Sequence, residues 1–257
     1  LERRAQTPGG EDCQIMVCSD HGHLSARERV LVKPLMREAG IKVGSAFSDG
    51  IPLAGSTGYS GSLVAAAGGE QALAGVADWL MAQPWCGPVF TRGGDGIAGG
   101  IPGTLDTALL SLTHARAPQL YYMMRADDAV NRWGMPGSCF FNSSEVPDGG
   151  STHGGLHALE MSNLLALGGT AFRQKHASAW PASHTDFAPT ILRLLGIAAP
   201  ATMTGRALTE ALASAPVEPP PPQTQVHSSQ SPGRRQYLQL RHVGRTRYID
   251  RGWTEAA

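Results

Sequence analysis

The chain has 257 residues, 42% hydrophobic and 16% charged, enough for one large domain or two small ones with a core, and too apolar for a wholly disordered chain. Lysine plus arginine and aspartate plus glutamate each total 21, and this balance speaks against a nucleic-acid partner gripped through its phosphates. No run reaches the roughly 18 uninterrupted apolar residues of a membrane span, and Leu1-Glu2-Arg3-Arg4 carries no signal-peptide core, so no membrane partner is expected and the cytoplasm is the favoured compartment.

After a polar opening, Gln14 to Cys18 is a short apolar run broken by Ser19-Asp20-His21-Gly22-His23, which predicts a buried strand entering a polar loop. Val30 to Ala39 suits a helix, Ile41 to Phe47 a strand, and Ser62 to Ala67 is a small-residue apolar run. Glu70 to Gln83 places Leu73, Val76, Ala77 and Leu80 at helical spacing before Pro84, which predicts an amphipathic helix stopped by that proline. Pro88 to Thr91 reads as a strand, Leu105 to Leu112 as helical, and Leu120 to Met124 as a strand buried on both faces. Gly134 to Gly155 reads as loop, Leu156 to Leu167 begins with helical spacing, and Asp186 to Gly196 combines a capping acid, a first-turn proline, an apolar stripe and a terminal glycine. Strands alternating with helices predict an α/β architecture with a largely parallel sheet. Residues 216–235, with Pro219 to Pro222, predict a solvated linker between a domain at 1–215 and a small hairpin tail at 236–257 around Gly244. Cys13, Cys18, Cys86 and Cys139 lack the paired spacing of a structural zinc module and read as reduced thiols.

Chemistry concentrates in two loops. Asp20-His21 combines carboxylate and imidazole, both ligands of zinc-type or manganese-type cations, beside Gly22, which permits close backbone approach; a loop aspartate capping its own backbone is the plainer alternative. His153 sits between glycine pairs in Gly149-Gly150-Ser151-Thr152-His153-Gly154-Gly155, and His157 is the weaker candidate because the glycines oppose a helix joining the two.

The segments Ile15 to Gly22, Gly150 to Gly155 and Asp186 to Gly196, in this order and at these separations, resemble the alkaline phosphatase superfamily, and within it the type I phosphodiesterase and nucleotide pyrophosphatase branch, over roughly Gln14 to Leu208. The resemblance implies an alkaline-phosphatase-like layered α/β sandwich, incomplete at the N-terminus, and a metal-dependent hydrolase acting on a small phosphate ester such as a phosphodiester or nucleotide pyrophosphate. It implies two divalent ions, zinc or alternatively manganese, about 4 Å apart and flanking an in-line displacement. Asp20 and His21 match ligands of the metal beside the nucleophile, and His153 matches a ligand of the other. The nucleophile, an early aspartate and an Asp-x-x-x-His motif are expected upstream of Leu1, so the chain alone is expected to have little or no activity. Asp186 falls in a family-like motif but reads better as a helix cap.

Three other readings compete. Gly94-Asp95-Gly96-Ile97-Ala98-Gly99 fits the G-x-G-x-x-G fingerprint of a nicotinamide-dependent oxidoreductase, although Pro102 interrupts the helix it needs and no acid follows at the required distance. A non-catalytic fragment or interaction module of the same fold is the second. Asp127-Asp128 forms a third candidate as acid, base or ligand pair, against a solvated strand end. The tail arginines 234, 235, 241, 245, 247 and 251 read as the solvent face of a hairpin.

Overall fold

The computed structural model describes residues 13–143, 146–147, 149–214 and 217–256. The polar opening through Asp12 lies outside them. The fold is mostly β, with 35% strand and 17% helix, which replaces the expected helix-rich layered sandwich by several small sheets. The chain divides into two compact units: Leu1–His21, Asn163–Gln225 and Leu240–Ile249 make the first, and Gly22–Ser162, Val226–Gln239 and Asp250–Ala257 the second.

In the second unit the main sheet has six strands: β3 (Val43–Gly44), β4 (Leu53–Thr57), β5 (Ser60–Ala65), β6 (Cys86–Thr91), β7 (Leu105–Asp106) and β8 (Leu120–Met124), in the order β3-β4-β5-β8-β6-β7. Only its outer pairs, β3 with β4 and β6 with β7, are parallel; β4, β5, β8 and β6 pair antiparallel. The physical cause is connection length. Gly58 and Tyr59 alone join β4 to β5, and a two-residue link permits only an antiparallel hairpin, whereas parallel neighbours need a crossover. The expected parallel sheet is thereby corrected.

Helices α1 (Val32–Glu38) and α2 (Glu70–Met81) pack on this sheet. The predicted stripe Leu73, Val76, Ala77 and Leu80 is buried as its spacing requires, against Leu53, Leu63, Val89 and Tyr122, and each large side chain so buried contributes about 1.5–3 kcal/mol. All six residues of β6 are buried. A four-stranded sheet holds β2 (Leu24–Arg29), β9 (Ala126–Asp127), β10 (Ser138–Phe141) and β11 (Ser151–Thr152) in the order β11-β2-β10-β9. Both β10 and β11 lie within the stretch read as loop; Ser138, Cys139 and Phe141 of β10 are buried beside β2. The stretch Leu105 to Leu112, read as helical, is strand β7 followed by a single 3-10 turn, Thr107–Leu110.

In the first unit β1 (Ile15–Cys18) is a strand where the sequence placed one, but it pairs antiparallel with β12 (Leu165–Gly168) in a two-stranded ribbon, and Val17 is 45% exposed. A four-residue apolar run fixes neither its partner nor its depth, so the expected buried strand is corrected too. Helix α4 (Phe187–Leu194) follows a 3-10 turn, His184–Asp186, and Gly196 lies just beyond its end. Of the segment read as linker, Gln223–Ser231 is strand β13, and Arg234 opens β14 (Arg234–Val243), which pairs with β15 (Thr246–Ala256). Gly233 and Gly244 occupy the two tight turns at φ 71° and 57°, where glycine carries no steric cost.

Candidate metal centre

Within the second unit, short helix α3 (Ala158–Met161) organises both histidine loops. His157 caps it: Nδ1 accepts from Leu159 N–H at 3.2 Å. That bond leaves the ring proton on Nε2, which donates to the Asp128 carboxylate at 3.2 Å. His157 is thus committed to structure by both nitrogens. The backbone of Gly22 lies against the carbonyl end of the same helix. Its N–H donates to Glu160 O at 2.9 Å, and a Cβ there would stand 1.8 Å from Leu159 O and 2.7 Å from Ser162 O. Only glycine fits, and this is the close approach that the sequence reading assigned to Gly22.

The consequence is that His23 meets His153. Their rings make an edge contact with centroids 5.0 Å apart, and Ser151 Oγ lies 3.3 Å from His23 Nδ1. His21, bonded to His23 through Gly22 alone, completes the group. One ligand atom from each of His21, His23 and His153 lies within 4.8 Å of the others, with His21 half-buried and the other two exposed. Imidazole nitrogens around one tetrahedral zinc stand roughly 3.3 Å apart. The donor set therefore fits a single divalent ion after small side-chain rotations, and its exposure suits an exchangeable fourth position rather than a closed structural site.

Asp20 stands outside that group. Its mostly exposed carboxylate accepts from His21 N–H at 3.1 Å, the plainer backbone-capping alternative, and also lies 3.3 Å from His21 Nε2. In the first unit its turn is held from behind: Ser19 O accepts from His184 Nε2–H at 2.9 Å and from Asn163 Nδ2 at 3.0 Å, while Ser19 Oγ accepts from Leu164 N–H. Of the residues expected to bind metal, His21 and His153 come together. His23 and Ser151 were missed; the signal for His23 was its place two residues from His21. Among the described residues this is the one group of three converging metal-type side chains.

Behind the loop carrying His153, Glu160 is 3% exposed. Its carboxylate accepts from Gly155 N–H at 3.1 Å and His157 N–H at 3.2 Å. Burial raises its pKa above the ordinary value, and these two N–H groups partly offset that. Tyr59 and Cys139 share the pocket. Burial, then the Glu160 charge, pushes the Tyr59 phenol far up, and burial pushes the Cys139 thiol up to about 12.

The remaining candidates are structural. Asp186 is wholly buried, accepting from Ser183 N–H at 2.9 Å, Arg206 N–H at 2.8 Å and Tyr248 O–H at 3.0 Å. It serves as the acid of a capping box with Ser183 on the 3-10 turn and makes no side-chain cap bond to α4, which corrects its reading as the cap of that helix. Asp127 receives Arg27 at 2.8 Å and the Ser138 hydroxyl, which leaves no paired carboxylate site with Asp128. In the dinucleotide-like loop Asp95 Oδ1 accepts from Ile97 and Ala98 N–H, and Asp106 Oδ2 accepts from Gly96 N–H. These backbone donors point inward at carboxylates and no helix follows, so the loop offers no phosphate cradle. Arg234, read as solvent-facing, is buried and donates to the carbonyls of Met81 and Gly87.

Compared with protein-family models, curated proteins and solved structures, the chain matches none. No helix among the described residues is long and apolar enough to cross a membrane.

Proposed function

We propose that the chain carries a histidine-held divalent metal centre of a phosphate-ester hydrolase, with a phosphodiester or nucleotide pyrophosphate as the substrate class. The observation that carries this reading is the convergence of His21, His23 and His153 from two loops far apart in sequence. Three imidazoles are the ligand set of an open zinc site. When bound, the ion supplies positive charge that polarises a phosphoryl oxygen.

The chain's own residues prepare that role. Ser151 Oγ lies 3.3 Å from His23 Nδ1 and the Asp20 carboxylate 3.3 Å from His21 Nε2, polar neighbours of the kind that orient a ligand imidazole. Two other carboxylates near the loops, Asp128 and Glu160, are engaged by His157 and by backbone N–H groups. One ion is proposed, because one group of three such ligands is present among the described residues. The substrate class rests on the sequence resemblance, and the exposed position of the histidines suits a ligand that arrives from solvent.

Calorimetry of inorganic phosphate with zinc-loaded protein tests the reading. Zinc-dependent binding that disappears in His153→Ala is expected. Phosphate binding indifferent to zinc and to His153→Ala, or turnover of a nitrophenyl nucleotide that survives the substitution, would place the chemistry elsewhere.

A further inference from the structure

We propose that Glu160 is the positioning residue of the histidine centre, a single side chain and its own carbonyl clamping both ligand loops. The proposal rests on the metal reading above. It is carried by four contacts within one unit. Glu160 O accepts from Gly22 N–H at 2.9 Å, holding the loop that carries His23. The Glu160 carboxylate accepts from Gly155 N–H at 3.1 Å and His157 N–H at 3.2 Å, holding the loop that carries His153. The fourth is packing: a Cβ on Gly155 would stand 2.8 Å from Glu160 Oε2 and 3.1 Å from the Tyr59 hydroxyl, so the loop is seated directly on the carboxylate.

A buried carboxylate is costly unless its oxygens are used. Here both oxygens are spent on the backbone of one loop while the main chain of the same residue serves the other. The separation of His23 and His153 is therefore set by the length of one residue on a short helix. Outer residues of this kind act by holding ligands at the distance the ion requires, and their loss typically weakens metal binding about tenfold to a hundredfold with every ligand still present.

The experiment uses the whole chain and Co2+ as probe, read by the intensity of its visible absorption at 25 °C. Glu160→Gln keeps the size of the side chain but turns an amide NH2 toward one of the two N–H donors, so one loop bond is replaced by a clash of donors. Weakening of Co2+ binding by about tenfold or more is expected. Leu73→Ala, on the buried face of α2, serves as the control for lost stability alone and should leave Co2+ affinity within about twofold. Equal affinity for Glu160→Gln and the unsubstituted chain, or equal weakening in Leu73→Ala, overturns the proposal and leaves the metal reading standing. No Co2+ binding by the unsubstituted chain refutes the metal reading itself. Amide exchange then decides the clamp alone: protection of Gly22, Gly155 and His157 supports it, and exchange as fast as in exposed loops overturns it. The same exchange measurement serves if Glu160→Gln does not fold.

Discussion

Gly22→Ala puts one methyl group where the structure has no room for it. The added Cβ would stand 1.8 Å from Leu159 O and 2.7 Å from Ser162 O, against an ordinary contact that begins near 3.4 Å. The loop must retreat by roughly 1.5 Å to restore normal separations, and that retreat breaks the 2.9 Å bond from Gly22 N–H to Glu160 O. Overpacking of this kind costs about 1–3 kcal/mol, which for a chain of this size lowers Tm by about 2–10 °C. The larger effect falls on metal binding, because His21 and His23 flank the displaced residue and the ligand atoms have little slack inside 4.8 Å. Thermal unfolding followed by circular dichroism, paired with Co2+ titration, should show a modest loss of stability and a loss of affinity of about tenfold or more. Unchanged Tm with unchanged affinity would mean that Gly22 does not lie on the carbonyls of α3 and would remove the structural basis of the site.

Other consequences can be measured independently. Burial raises the Asp186 pKa, with its three hydrogen-bond donors only partly offsetting this. The protonated form is thus favoured in the fold, and stability from this group is fully present below about pH 4 and lost as pH rises through the raised value. Urea denaturation should show the advantage of the unsubstituted chain over Asp186→Asn shrinking as pH rises from about 4 to 7; a growing advantage would contradict this. Arg206→Met strands the Glu210 carboxylate, which is 2% exposed and bonded to Arg206 at 2.7 and 2.8 Å. A loss of about 3–5 kcal/mol is expected by the same assay, and restoration of most of it in Arg206→Met with Glu210→Leu is the accompanying result. Burial pushes both the Cys86 and Cys139 thiols up to about 12, so near pH 7.5 a thiol reagent should reach exposed Cys18 quickly and these two only on unfolding. Rapid native-state labelling of Cys139 would contradict the enclosed pocket beside Glu160.

Local periodicity made part of this fold legible. Helix α2 declares itself through Leu73, Val76, Ala77 and Leu80 because one face of a helix repeats every 3.6 residues, and β6 and β8 through unbroken apolar runs between turn residues. Pairing was not legible. Nothing in Ile15 to Cys18 distinguishes the middle of a parallel sheet from one edge of a ribbon with Leu165–Gly168, since that choice is made by residues far away in the chain. Ser138 to Phe141 was hidden among glycines and polar residues, and only its buried place beside β2 makes it a strand. At the site, His21 and His153 were visible as imidazoles beside glycines. The role of His23 required knowing that Gly22 seats the loop on α3. Glu160 left one trace, an acid three residues after His157 at a helix start, which is the spacing of a capping box; its second use, through the carbonyl, has no sequence signature.

The stoichiometry of zinc bound after equilibrium dialysis tests the central claim most directly. One ion per chain is expected for the unsubstituted protein, falling to near zero in His23→Ala and in His153→Ala at the same free zinc, with circular dichroism unchanged. Full occupancy retained in both variants would contradict a metal centre built from His21, His23 and His153.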